Sequence, residues 1–103
     1  MAWTKGQIRK GLEENDLWVV RGIERLYSFQ TQEEQASEGT RELNGLGFNS
    51  TDAQILSSFA KQIERWRSNP RYATPLSHAQ MTLARKKIMK YAGQLTRVAN
   101  GEI

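Results

Sequence analysis

The sequence predicts an all-α fold: a single compact domain of four main helices plus a short acidic helical turn. Three observations carry that expectation. Apolar residues recur at spacings of three and four over long windows, no alternating strand pattern persists, and helix-start signals of one kind recur along the chain. The length of 103 residues, with 38% hydrophobic and 25% charged side chains, suits one domain able to bury its own core.

Each element has its own signal. Thr4 with Gln7 three positions later forms a capping box that opens a first helix over about 5–14. Asn15-Asp16 breaks or recaps the chain, and a second helix covers about 17–30. Thr31 with Glu34 is another capping box, starting the short acidic turn to about Ser37. The glycines and asparagines of "EGTRELNGLGFNST" mark a loop over 38–50. Ser50 or Thr51 then caps a third helix over about 52–68, with Asp52 complementing its dipole. Asn69 ends it, because the residue before Pro70 is pushed out of helical geometry. Ser77 with Gln80 opens the last helix, about 78–99, and Asn100-Gly101 closes it.

The faces follow from the periodicity. In the last helix Met81, Ala84, Ile88, Tyr91, Leu95 and Val98 form the core stripe. Lys86, Lys90 and Arg97 fall opposite it, spread over about 16 Å of helix axis. Arg85 and Lys87 lie on the flanks. The third helix turns Ile55, Phe59, Ile63 and Trp66 inward, and its Lys61 and Arg65, with Arg67 and Arg71 beyond, extend the positive surface. In the second helix Val20, Ile23 and Tyr27, beside Val19 and Leu26, make one apolar side. Trp18, Arg21, Arg25 and Phe29 gather on the other. Arginine interleaved with aromatics is suited to a protein interface or to stacking on unpaired bases; packing of a central helix on two sides gives the same pattern.

The formal net charge is +4, and residues 79–103 alone hold five basic side chains and one acidic. No Asp or Glu occurs between Glu64 and Glu102. Lys86 and Lys90 therefore repel at i,i+4 with no relief inside their helix. Such a face attracts phosphates or an acidic partner, or is simply the solvated side of an amphipathic helix.

Chemistry of other kinds is poorly represented. There is no cysteine, which excludes disulfides and thiolate catalysis and fits a reducing cytoplasm. His78 is the one histidine, so a metal site lacks ligands, and no metal or cofactor is expected. No serine has a base partner in a recognisable motif, and an enzyme is not expected. The glycines of "NGLGFN" precede a helix but lack the strand and Lys-Ser/Thr of a phosphate loop, so they form a structured turn. No apolar run is long enough for a membrane span, and "MAWTKGQIRK" lacks the apolar block of a signal peptide.

Two segments, "NGLGFNSTDAQILSSFAKQ" and "LSHAQMTLARKKIMKYAGQLTRVAN", together resemble a helical module of small uncharacterised phage and prophage proteins, also seen near DNA-metabolism proteins. The resemblance spans about residues 43–100. It implies a nucleic-acid context in a bacterial host cell and carries over no catalytic residue. The expected function is a small non-enzymatic accessory protein that binds the phosphate backbone of DNA or RNA. Its site would be Lys86, Lys90 and Arg97, with Arg85, Lys87, Lys61 and Arg65. The alternative is a phage-encoded inhibitor of a host nucleoprotein or defence complex, anti-CRISPR-like, acting through the Trp18/Arg25/Phe29 face or the basic stripe. A structural phage component or a homodimer is a third possibility.

Overall fold

The computed structural model describes residues 2–36 and 47–102, with side chains for 2–29 and 47–102. Its order is α1 (Lys5–Glu14), α2 (Asp16–Ala36), α3 (Ala53–Ser68), α4 (His78–Ile88), a 3-10 turn (Met89–Tyr91) and α5 (Ala92–Ala99). The fold is all-α, with no strand among the described residues.

Local chemistry fixes the helix starts. Thr4 accepts from the Gln7 amide while the Gln7 side chain accepts from the Thr4 amide, and Ser77 with Gln80 repeats the arrangement at α4. Asn15 leaves helical geometry at the end of α1, and its carboxamide oxygen accepts from the Leu17 amide to recap the chain at once. At α3 the cap is neither Ser50 nor Thr51. The Asn49 side chain accepts from the Asp52 amide at 2.9 Å, and Asp52 makes no side-chain cap bond of its own.

Two expected boundaries are corrected. The second helix does not stop at residue 30, and the acidic turn is not separate: 16–36 is one helix. A capping box starts a helix only if the chain first leaves helical geometry, and no glycine or proline near Thr31 forces it to do so. Ser37 and residues 38–46 of the expected loop lie outside the described residues; 47–50 are non-helical. The last helix is not continuous either. A 3-10 turn at Met89–Tyr91 divides α4 from α5.

The core joins α1 to α5. Ile8 and Leu12 of α1 meet Val19, Val20, Ile23, Leu26 and Phe29 of α2, Leu56, Phe59, Ala60 and Ile63 of α3, and the expected stripe of α4 and α5. Relative to the periodic reading, α3 is rolled toward Leu56 and Ala60, leaving Ile55 and Trp66 half-buried. α2 packs against α1, α3 and α4 at once. Two glycines permit close approach. A Cβ at Gly11 would lie 2.3 Å from the Trp18 ring, and one at Gly22 would lie 3.0 Å from Ile88 and 3.2 Å from Leu95. The N- and C-terminal segments are tied together: the Asn100 carboxamide accepts from the Trp3 amide at 2.6 Å and donates to the Trp3 carbonyl at 3.0 Å.

Candidate functional site

The basic stripe of α4 and α5 is largely compensated by acids from elsewhere in the chain. Arg85 donates to the Leu12 carbonyl at 2.9 Å, satisfying an orphan acceptor near the end of α1, and forms an ion pair with Asp16. Lys87 and Lys90 both reach Asp52, with Nζ–O distances of 3.4 and 2.7 Å. Arg97 faces Glu102 at 3.7 Å. Four of the five cations therefore have carboxylate partners. The absence of acids within 65–101, which left the stripe without a counter-charge in the linear sequence, is made good across helices. Of the five, only Lys86 has no ion-pair partner among the described residues, and it is exposed.

Asp52 is the hub of this arrangement. Its carboxylate is 0% exposed and also accepts from the Tyr91 hydroxyl at 2.8 Å, while the Tyr91 oxygen accepts from the Asn49 amide at 3.0 Å. Burial alone would raise the Asp52 pKa; hydrogen bonds from Lys90, Tyr91 and Lys87 outweigh it and hold the carboxyl below its ordinary value. Tyr91 is pushed up to about 12, first by burial and then by the adjacent carboxylate. The 3-10 turn coincides with this contact, because Lys90 and Tyr91, two of its three residues, both bond Asp52. Asp52 complements more than a dipole: it binds the start of α3 to the α4–α5 junction.

The glycine-asparagine segment is equally committed. Gln94 on α5 accepts from the Gly47 amide at 2.9 Å and donates to its carbonyl at 3.1 Å. With the Asn49 amide bonded to Tyr91, these backbone donors are directed inward. Gly45 lies outside the described residues.

The Trp18/Arg21/Arg25/Phe29 group does not form an exposed aromatic face. Phe29 is buried in the core with Arg25 over its ring, 5.2 Å from the centroid. Trp18 is half-buried, laid on Gly11 and meeting Trp3 edge to face at 5.6 Å. Arg21 and Arg25 alone of the four are exposed.

Lys61 and Arg65 lie on the outer side of α3, exposed and without an ion-pair partner among the described residues, whereas Arg67 is clamped by Glu24 at 2.5 and 2.9 Å. α3 and α4 are neighbours. The Gln62 amide donates to Gln80 at 2.8 Å, and the Gln80 amide donates back at 3.1 Å. A groove of about 640 Å³ opens at the end of α3, lined by Gln62, Arg65, Trp66, Arg71, Tyr72 and Pro75, with Ser68 and Asn69. The sequence marks Trp66 only as a core position and Arg71 only as added charge; the interleaving of "WRSNPRY" is the signal that points to the groove.

Among the described residues no three His, Cys, Asp or Glu side chains converge on a possible metal position, and no helix is long and apolar enough to cross a membrane. No protein-family model, no curated protein and no solved structure matches the chain.

Proposed function

We propose that the chain is a small non-enzymatic accessory protein that associates with nucleic acid by neutralising backbone phosphates. This is in keeping with its resemblance to phage and prophage modules. One observation carries the proposal: once the internal ion pairs are formed, Lys86 on α4 and Lys61 and Arg65 on α3 remain exposed and uncompensated on two adjacent helices. Lys87, Lys90 and Arg85 serve the fold first and Arg97 is screened by Glu102, so the contact surface is narrower than the linear stripe and is centred nearer α3.

Three phosphate contacts carry a definite salt dependence. On duplex DNA three released counterions weaken binding about 40-fold between about 50 and about 200 mM salt, and on a single strand somewhat less. Titration of labelled single- and double-stranded DNA and RNA at these two salt concentrations tests the proposal. Absence of binding to all of them at the lower salt rules it out. A protein partner, as for an inhibitor of a host nucleoprotein complex, has lost the Trp18–Phe29 face as its docking surface.

A further inference from the structure

We infer that the groove at the end of α3 is a binding site for unpaired nucleotides, with Tyr72 as the stacking platform and Arg65 and Arg71 as the phosphate contacts. The inference rests on the nucleic-acid association proposed above and gives it a strand preference.

The groove is braced by two side-chain-to-backbone bonds. The Trp66 indole N–H donates to the Tyr72 carbonyl at 2.8 Å, and the Gln62 amide donates to the Pro75 carbonyl at 2.9 Å. These bonds fold the connector after α3 back along the last turns of that helix. The Tyr72 backbone is thus anchored while its side chain is left free, and Tyr72 is 76% exposed, more than Trp3 or Leu17. A tyrosine has only two side-chain torsions to fix, so a base that stacks on it costs little conformational freedom.

The charged residues that line it are both cations. Arg65 and Arg71 line the groove, both exposed; among the described residues neither has an ion-pair partner and no carboxylate lines the groove. The C-terminal end of α3 contributes only about half a negative charge. Arg67, clamped by Glu24, also lies near that end, so two further arginines leave a positive surplus. A volume of about 640 Å³ falls within the range of small-ligand sites. Cations beside an accessible aromatic face match the two parts of a nucleotide, phosphate and base. A duplex keeps its base faces stacked and cannot use Tyr72, so the site selects the single strand. Stacking accepts any base, so little sequence preference is expected.

The test measures the affinity of an oligothymidylate, a blunt duplex of the same length and an acidic, tyrosine-containing peptide. Each is titrated against the native chain, Tyr72→Ala and Tyr72→Phe at low salt. Tyr72 contacts Trp66 through its backbone, so both variants should keep the native melting temperature. The inference expects the single strand to bind roughly 10-fold tighter than the duplex. Tyr72→Ala should remove roughly 10-fold of the single-strand affinity while leaving the duplex unchanged, and Tyr72→Phe should restore it. Equal single-strand and duplex affinity, both indifferent to Tyr72→Ala, overturns the stacking site and leaves phosphate association standing. No binding of either nucleic acid overturns both. A peptide that binds more tightly than the oligothymidylate in a Tyr72-dependent way assigns the groove to a protein partner instead.

Discussion

The Lys90 ammonium sits 2.7 Å from the Asp52 carboxylate, a group wholly excluded from solvent although Lys90 itself is half-exposed. A cation on the expected outer stripe thus stabilises a buried anion. Lys90→Ala should therefore cost about 1–3 kcal/mol, since it leaves the carboxylate with Lys87 and Tyr91 alone. Lys86→Ala should stay within about 0.5 kcal/mol. Urea titration of the two variants separates them; equal midpoints would show that Lys90 contributes nothing.

The same cluster fixes the response to pH. Asp52 has a lowered folded pKa, so its contribution is complete above the unfolded value near 3.8 and is lost as pH falls through the lower folded value. Tyr91 has a raised folded pKa, so its contribution is complete below the unfolded value near 10 and fades as pH rises toward about 12. Unfolding free energies measured across both windows should show Asp52→Asn flattening the acid limb and Tyr91→Phe flattening the alkaline one. Unaltered limbs would place those titrations elsewhere.

Two helical glycines should respond oppositely to alanine. At Gly11 the new methyl would overlap the Trp18 ring, and Gly11→Ala should destabilise by about 1–3 kcal/mol. At Gly93 the methyl meets nothing within 4 Å, and Gly93→Ala should stabilise α5 by about 0.5–1 kcal/mol. Thermal melts of the two variants decide it.

Binding and stability should separate along the basic surface. The double variant Lys61→Ala/Lys86→Ala should keep the native melting temperature and lower the salt slope of nucleic-acid binding by about two units. Arg85→Ala, which abandons the Leu12 carbonyl and Asp16, should mainly lower stability. A full salt slope in the double variant would move the phosphate contacts to other cations.

What the sequence discloses here is the short-range part. Thr4–Gln7 and Ser77–Gln80 were legible because a capping box lies within one helical turn, and the α4–α5 stripe because its period is local. Thr31–Glu34 has the same spacing yet starts nothing, since the pattern can cap a helix but does not itself break one. The 3-10 turn has no glycine or proline to announce it. It lies where Lys90 and Tyr91 bond Asp52, some forty positions away. Arg85 and Asp16 are 69 positions apart, so counting charges along one helix cannot pair them. The candidate site shifted for that reason: which cations remain free is decided by neighbours in space.

The bonds between Trp3 and Asn100 span 97 positions. Both bonds are exposed, and the packing of α1 on α5 holds the two segments together behind them, so they can open without disturbing the core. Native-state hydrogen exchange should then find the Trp3 amide opening at a free energy well below that of the α2 core. The fold would come undone from this seam.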